Sequence, residues 1–468
     1  MKTVCRFIGL WFICLLVFEN STLAQDVSLR LSAAAGVLKE DPQMKHAVLG
    51  LSVVKTATGE KVFELNAQTG LAPASCQKTI TSAAAMELLG PKYRYMTLLA
   101  HDGEIINGVL NGNLYVIGSG DPSLGSWRFD STKEDKVWSA WIKSIRDAGI
   151  TKINGDLVGI ESNWEKETLP GGWIWDDIGN YYGAGTSALN WRENQYDLVM
   201  SSGAETGSKV TIVQAKPQPY RVSLEMEVRA AAKGTGDNSY IYLPPFAQKG
   251  YVRGTIPVDE KAFTISGSFP DPSLQLIATF ADKLGTANMT PRSFSISANK
   301  PLPVLKTVYM QGSPALDSLN YWFMKKSINL YGEAFAKTIA AEKTGLGSTD
   351  EGVKLIKQFW KEQGIESSAL RILDGSGLSP QNRVTTDALI TVLQYAKGRP
   401  WFSYYYDALP IFNQMKLKSG TIGGAKSFAG YHTAKDGTAY TVAMIINNYD
   451  GSAGEIVKKM FRVLDELK

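Results

Sequence analysis

The residues that could do chemistry begin with a serine and a lysine three positions apart, Ser75 and Lys78. They lead into a run of good helix formers, 79–89, that ends at Gly90, a residue typical of a helix C-terminus. On a helix, residues at i and i+3 share a face, so the lysine amine can reach the serine hydroxyl. A serine at a helix N-terminus also directs its own backbone N–H towards an incoming oxygen. The pair therefore predicts a nucleophile and a general base, provided that the pKa of the lysine is lowered.

The same spacing occurs at two other pairs, Ser52–Lys55 and Ser297–Lys300. The first pair lies in an alternating strand pattern, in which positions i and i+3 face opposite sides. The second pair runs into a Pro-Leu-Pro sequence, which suits an extended segment better than a helix. Only Ser75 has the context of a helix start, where a serine can alternatively serve as an N-cap.

Two further short motifs carry polar groups of the same kind. Ser327-Ile328-Asn329 follows a helical run, although S-x-N also occurs at 297–299 and 318–320. Lys418-Ser419-Gly420-Thr421 lies in a predicted strand, where the glycine lets a substrate backbone pair against the strand edge. A rival, Lys343-Thr344-Gly345, lies at a helix end and is typical of an ordinary helix C-terminus. We therefore prefer the strand motif.

S-x-x-K, S-x-N and K-[ST]-G, in this order, resemble the signature of penicillin-binding proteins and serine β-lactamases. About 250 residues separate the first two motifs. This long insertion is similar to that of the class C low-molecular-mass penicillin-binding proteins, the D-alanyl-D-alanine carboxypeptidase/endopeptidases. Further stretches resemble the same family: Pro73–Lys78, Gly118–Pro122, Asp374–Ser379 and Phe428–Tyr431. Two positions depart from it, since Ile328 stands where an acidic residue is frequent and Ser419 where threonine is usual.

The resemblance implies a role for each catalytic residue. Ser75 attacks the carbonyl of the penultimate D-alanine and forms an acyl-enzyme, which water then hydrolyses. Lys78 acts as general base in its neutral form, and the nearby cation of Lys418 pushes its pKa down. Ser327 passes the proton towards the leaving amine, while Asn329 holds the substrate amide and orients Lys78. No metal or cofactor is implied.

The same resemblance implies how the substrate end is bound. The hydroxyls of Ser419 and Thr421 bind the terminal carboxylate, beside the positive potential of the lysine and the open edge at Gly420. The backbone N–H groups of Ser75 and Thr421 form an oxyanion hole, in which a single donor typically contributes roughly 10²–10³ in rate.

Weaker candidates lie in the insertion and beside the nucleophile. The resemblance associates Asp177 with the amino group of the peptide's diamino acid, whereas the alternative is that Asp176 and Asp177 are exposed turn residues. Neighbouring aromatic residues could line a sugar or peptide groove or belong to the core: Trp173, Trp175, Tyr181 and Tyr182. Cys76 is expected to face the helix interior as a small apolar residue.

The elements that position these residues follow from hydrophobic periodicity. A helix, 26–39, and a hairpin, 47–56 with 61–65, precede the nucleophile. Helical spacing resumes at 272–284, 315–343 and 349–363. A three-strand meander, 412–421, 427–433 and 438–447, and a helix, 453–468, end the chain. The region between, above all 195–264, is rich in strands and turns.

We therefore expect an α+β fold of the penicillin-binding-protein/serine β-lactamase-like transpeptidase kind, an antiparallel sheet flanked by helices, with inserted β-rich domains. The expected catalytic domain comprises 25–93 and 285–468. A second domain, 94–190 with 265–284, is inserted into it, and a third, 191–264, is nested in the second.

The N-terminal sequence and the composition indicate where the protein is located in the cell and exclude several classes of protein. Residues 1–24 have a basic start, a short apolar run and small residues near Ala24, which predicts a secretory signal peptide and a periplasmic location; a retained anchor is the alternative. No later segment predicts a membrane span. The net charge of +4 is too weak and scattered for nucleic acid. Only three histidines are present, far apart, which argues against a zinc motif or a Ser-His-Asp triad.

The expected function is that of a serine D-alanyl-D-alanine carboxypeptidase/endopeptidase, whose partners are peptidoglycan stem peptides and cross-links, with β-lactams as covalent inhibitors. A β-lactamase is disfavoured by the long insertion and by the lack of an evident deacylation glutamate. A catalytically silent wall-binding protein is disfavoured by the complete set of motifs. A D-amino-acid esterase or aminopeptidase on the same fold is disfavoured only by the family-like insertion.

Overall fold

The computed structural model describes residues 26–298 and 303–468. The predicted signal peptide and Lys300 of the rival S-x-x-K pair lie outside these residues. The chain forms two compact units. The terminal unit comprises the described residues from 26 up to Ala83, with Trp360–Ile372 and Gln381–Lys468. The central unit comprises Ala84–Phe359 and Leu373–Pro380.

An antiparallel six-stranded sheet organises the terminal unit. Its strands run in the order Lys61–Leu65, Val48–Lys55, Ala439–Asn447, Ala425–Thr433, Met415–Ile422 and Ile411–Phe412. The terminal unit also contains a separate two-stranded sheet, in which Leu370–Arg371 pairs with Arg383–Val384. The predicted hairpin and meander are confirmed, except that Phe412 belongs to a separate short strand that turns back onto Met415.

Helices cover this sheet and bury their apolar stripes against it. They are the described helix 26–39, the first part of Lys78–Leu88, Thr386–Lys397, Phe402–Ala408 and Ala453–Asp465. The last helix starts where the Ser452 hydroxyl accepts hydrogen bonds from the backbone N–H groups of Gly454 and Glu455. Its residues Ile456 and Met460 pack with Leu31 of the first helix into one core over the sheet. This core fixes the Met415–Ile422 strand, which carries the third motif.

The central unit contains most of the remaining strands, in four sheets. The five-stranded sheet runs Phe294–Ser297, Leu157–Ile160, Leu114–Ile117, Met96–His101, Lys306–Gly312. One three-stranded sheet has the strand order Glu104–Ile106, Val109–Asn111, Lys152–Ile153. Another has the order Thr211–Lys216, Gln195–Ser201, Phe263–Ser268. In the four-stranded sheet, Lys249–Pro257 pairs with Ser223–Met226, Arg229–Ala231 and Asn238–Tyr242.

The helices of the central unit are Glu134–Asp147, Trp175–Ile178, Pro272–Thr286, Leu316–Lys325, Asn329–Thr344 and the greater part of Thr349–Glu362. The single helical stretch expected over 315–343 is wrong, because the helix breaks between Lys325 and Asn329. Ser327 has a φ of +58°, a left-handed conformation that a right-handed helix cannot continue. The break places the S-x-N motif at a helix start.

Two separate hydrophobic cores lie in the central unit. One gathers Trp138, Trp141, Trp191 and Phe280 with the five-stranded sheet. The other gathers residues between Tyr196 and Phe269 from the β-rich region. The three predicted domains and the nesting of 191–264 within the insertion stay a prediction. Within the described residues, no helix is both long and apolar enough to cross a membrane.

Candidate active site

The nucleophile motif begins on a tight turn. Ala74–Gln77 form a 3-10 turn that leads directly into the α-helix Lys78–Leu88. The expected helix start is therefore present, with a narrower first turn. Ala74 is buried and has a φ of +46°, a conformation that costs an alanine about 1–3 kcal/mol. Ser75 is partly exposed although its neighbours on both sides are buried, so the hydroxyl is accessible to a substrate.

The serine and lysine side chains meet as the spacing predicts. Lys78 Nζ donates a hydrogen bond to Ser75 Oγ over 3.0 Å, and Lys78 is fully buried. Once the lysine is neutral, the same contact can carry the hydroxyl proton to the amine. The competing pair is built differently, because Ser52 Oγ bonds to Thr386 and Lys55 Nζ binds Glu60.

The Met415–Ile422 strand lies against the nucleophile turn. The thiol of Cys76 donates to the carbonyl of Lys418 over 3.0 Å, and Ser427 Oγ donates to the carbonyl of Pro73 over 2.5 Å. A Cβ atom on Gly420 would lie 2.6 Å from the Pro73 carbonyl oxygen and 2.8 Å from the Ser75 backbone nitrogen. Only glycine therefore permits this approach. Burial raises the pKa of Cys76, consistent with the predicted apolar role.

Lys418 is a buried cation beside this turn. Its side chain is 1% exposed, and its Nζ donates to the carbonyl of Ser419 over 2.8 Å. The pKa of Lys418 is lowered to about 8, chiefly by burial; the charge of Cys76 opposes this shift, and the cation of Lys426 contributes a smaller lowering. Its predicted effect on the pKa of Lys78 stays a prediction.

A second lysine, which sequence reasoning missed, lies beside the third motif. Lys426 stands opposite Thr421 in the antiparallel register, and its Nζ donates to Thr421 Oγ1 over 2.6 Å. Burial lowers the pKa of Lys426. The signal was available, since Gly423-Gly424 between two strand patterns indicates a two-residue hairpin and therefore the register. The same register places Ser427 opposite Gly420, although its bond to Pro73 joins segments that are distant in the chain.

The S-x-N motif belongs to the central unit. Ser327 adopts its left-handed conformation directly before the helix Asn329–Thr344. Asn329 is buried, and its Nδ2 donates to the carbonyl of Tyr182 over 2.7 Å. This bond joins the motif to the segment that also carries Asp177. The expected roles of Ser327 and Asn329 in proton transfer and substrate binding stay predictions.

Asp177 lies in the short helix Trp175–Ile178 of the same unit. It is half-buried, whereas its neighbour Asp176 is exposed. The pKa of Asp177 is raised to about 6, chiefly by burial and to a smaller extent by the charge of Asp176. Asp177 is thus not a freely solvated turn residue, and its association with a diamino acid stays a prediction. Trp173 is buried, with its indole N–H donating to Asp374.

The terminal unit therefore brings together Ser75, Lys78 and the strand motif from 418 to 421. The rival Lys343-Thr344-Gly345 ends the helix Asn329–Thr344, and Gly345 has the φ of +84° typical of a helix C-terminus. The preference for the strand motif rested on this difference. Ser327, Asn329 and Asp177 form the second group, in the central unit.

Comparisons with known proteins agree with this arrangement. Residues 31–467 match the model of the D-Ala-D-Ala carboxypeptidase 3 (S13) family. A D-alanyl-D-alanine carboxypeptidase of Actinomadura sp. strain R39 is 26% identical over 450 residues, covering 88% of this chain and 80% of the relative. A D-alanyl-D-alanine carboxypeptidase of Haemophilus influenzae is 24% identical over 421 residues, covering 86% and 85%.

Among solved structures, penicillin-binding protein 4 from Haemophilus influenzae superposes with a TM-score of 0.79 at 22% identity, covering 93% of this chain and 98% of the other. This likeness confirms the expected fold class, an α+β penicillin-binding-protein-like domain with insertions. The family match covers nearly the whole chain and confirms the resemblance that the three motifs carried. The chain belongs to the D-Ala-D-Ala carboxypeptidase 3 (S13) family.

Proposed function

We propose that this chain hydrolyses D-alanyl-D-alanine bonds of peptidoglycan through an acyl-enzyme on Ser75, removing terminal D-alanine and cleaving peptide cross-links. The observation that carries the proposal is the hydrogen bond of 3.0 Å between Lys78 Nζ and Ser75 Oγ. A buried amine in contact with a partly exposed hydroxyl is the arrangement that an activated serine requires.

The chemistry proceeds in two balanced steps. Ser75 Oγ forms a bond to the carbonyl carbon of the penultimate D-alanine, and its proton passes to neutral Lys78. The C–N bond then breaks, and the leaving amine receives that proton by way of Ser327, in the role that the family resemblance assigns to it. Water attacks the acyl-enzyme, with Lys78 accepting its proton, and restores the Ser75 hydroxyl.

An oxyanion hole forms from the backbone N–H groups of Ser75 and Thr421. The close approach at Gly420 supports this role, because it holds the strand backbone against the Ser75 amide. Two fixed donors aimed at the developing negative charge stabilise the tetrahedral intermediate, and each is worth roughly 10²–10³ in rate.

The substrate's terminal carboxylate binds at the far end of the strand motif. Thr421 is exposed, and Lys426 Nζ is held on its hydroxyl at 2.6 Å. Together with Lys418 and the Ser419 hydroxyl, these groups offer charge-assisted hydrogen bonds to a carboxylate. The same groups accept the carboxylate of a β-lactam, which is the basis for covalent inhibition. The partner substrates are stem peptides and cross-links outside the inner membrane, in the periplasm.

The decisive experiment compares the protein, Ser75→Ala and Ser52→Ala after incubation with a penicillin. Ser52 is the matched control because it has a lysine at the same spacing but a different hydrogen-bond partner. Intact mass and peptide mapping should show a stable adduct on the peptide with Ser75, absent only from Ser75→Ala.

Each rival function gives a different result. Rapid loss of penicillin without an adduct indicates a β-lactamase. Neither adduct nor turnover, in folded protein, indicates a silent wall-binding protein. Purified pentapeptides and cross-linked muropeptides then separate carboxypeptidase from endopeptidase activity, and D-amino-acid esters test the esterase alternative.

A further inference from the structure

Four aromatic side chains of the central unit lie together outside its cores. We define the aromatic surface as Trp175, Tyr240, Tyr242 and Tyr251. Trp175 is 41% exposed and Tyr240 is 42% exposed, while Tyr242 and Tyr251 are partly exposed. Aromatic rings of this size usually lie in a core, so a group of exposed rings points to a binding role.

The strand pattern creates this surface. Asn238–Tyr242 pairs with Lys249–Pro257, with Tyr242 opposite Tyr251 and Tyr240 opposite Arg253. Successive side chains of a strand point to opposite faces of the sheet. Ser239, Ile241 and Val252 are therefore buried in the interior, and the tyrosines lie on the outer face.

Trp175, Tyr242 and Tyr251 contact one another, and Tyr240 lies two positions from Tyr242 on the same face of the strand. Tyr242 and Tyr251 stack with centroids 4.9 Å apart and planes at 19°, and Trp175 lies 5.7 Å from Tyr242. The Tyr242 hydroxyl donates to Asp176 Oδ1 over 2.9 Å. Arg253 lies over Tyr251 at 5.0 Å and binds Glu227 at 2.7 Å. A surface ordered in advance loses little conformational entropy when a ligand binds.

The chemistry of the surface favours a carbohydrate. Flat, exposed rings stack against the C–H faces of sugar rings, and the surrounding phenol, carboxylate and guanidinium groups can bond to hydroxyl and acetamido groups. A nucleic acid would need a basic patch, but Asp176 lies at one end of the rings and Arg253 at the other is already paired with Glu227. A polar rim around fixed rings also differs from the apolar centre of a protein interface.

The aromatic surface is continuous with the S-x-N motif. Asn180 Oδ1 accepts the backbone N–H of Ile241 over 3.0 Å, which ties the segment containing Trp175 to the strand of Tyr240 and Tyr242. Two residues later, the carbonyl of Tyr182 accepts the amide of Asn329. The segment that contains Trp175 therefore contacts both the strand of the tyrosines and Asn329, a residue implied in substrate binding.

We propose that the aromatic surface binds the glycan strand of peptidoglycan, with the rings stacking on its N-acetylated amino sugars. The inference rests on the proposed function, because the stem peptide that the enzyme cleaves is covalently attached to this strand. It gives the β-rich insertion a role in holding the polymer while the peptide is processed.

The test measures binding of peptide-free glycan chains, alternating N-acetylglucosamine and N-acetylmuramic acid, by isothermal titration calorimetry. The variants are Tyr251→Ala and Tyr240→Ala. Trp127→Ala is the matched control, since Trp127 is 46% exposed and lies outside the aromatic surface. We expect each tyrosine variant to weaken binding about tenfold, the size of one lost stacking contact, and the control to bind as the unaltered protein does.

Penicillin acylation of every preparation reports folding and the proposed function separately. Acylation in all variants, with glycan binding weakened only in the tyrosine variants, supports the proposal. No measurable glycan binding, or equal binding in all variants, overturns it whether or not acylation occurs. If Tyr251→Ala is not acylated by penicillin, it is replaced by Tyr251→Leu, which fills the buried part of the space that the tyrosine side chain occupies. The same two outcomes then apply.

Discussion

Replacing Gly420 with alanine is expected to slow acylation of Ser75 by about 10²-fold. The added Cβ would lie 2.6 Å from the Pro73 carbonyl oxygen and 2.8 Å from the Ser75 backbone nitrogen, and also against Ser427 Oγ. To reach an ordinary contact of 3.4 Å, the Ser75 nitrogen must move by about 0.6 Å. Both backbone atoms belong to the turn that carries the nucleophile, so the strain displaces the oxyanion hole.

The same substitution should also lower stability. Overpacking of this size costs about 2 kcal/mol, or about 4–8 °C in Tm for a unit of this length. The assay is the second-order rate of acylation by a fluorescent penicillin, with Tm measured in parallel. Gly423→Ala is the control, because a Cβ there has no atom within 4 Å and its φ is not left-handed. Folded Gly420→Ala that acylates within about threefold of the unaltered protein would refute the reasoning.

Three further predictions concern charge. Because burial lowers the pKa of Lys418 to about 8, its ammonium group loses its charge above that pH. The rate of acylation by penicillin should therefore fall above about pH 8, and Lys418→Arg should move this fall to higher pH. An acylation rate that stays constant up to about pH 10 would contradict the role of this cation. Lys426→Met should raise KM about tenfold for a peptide that ends in a free carboxylate, and leave KM unchanged for the same peptide ending in an amide. An equal change in KM for the two peptides would exclude recognition of the carboxylate by Lys426. The pKa of Asp177 is raised to about 6, above its ordinary value, so the folded state loses stability as pH rises from about 4 to about 6. Asp177→Asn should therefore raise Tm at pH 7 and have little effect near pH 4. The control is Asp282→Asn, at an exposed position of the same unit, which should leave Tm unchanged at both pH values.

Local pattern was enough to predict the catalytic pair and its strand. Ser75 and Lys78 meet because helical spacing is a property of the backbone alone. The rejection of the Lys343 motif rested on a helix end, which the glycine after it defines. These inferences needed no information about distant parts of the chain.

What sequence reasoning missed depends on contacts between distant segments. Ser327 breaks a helix that propensity alone would continue, and no glycine or proline lies between Lys325 and Asn329. Ser427 bonds to Pro73 across 354 positions of the chain, and such a pairing follows only from a complete sheet register. Lys426 lay within reach of local reasoning, because the hairpin turn fixes its partner.

The Gly423-Gly424 turn has a consequence for how substrate preference can change. The two strands beside it alternate with a period of two, so adding or removing one residue in the turn places a different side chain opposite Thr421. Such a change would remove the Lys426 ammonium from the carboxylate end, and it would also shift Ser427 relative to the Gly420 position that lies against the nucleophile turn. Preference for free or cross-linked peptide ends could thus diverge between relatives by a single insertion or deletion, with no substitution among the residues that make and break bonds.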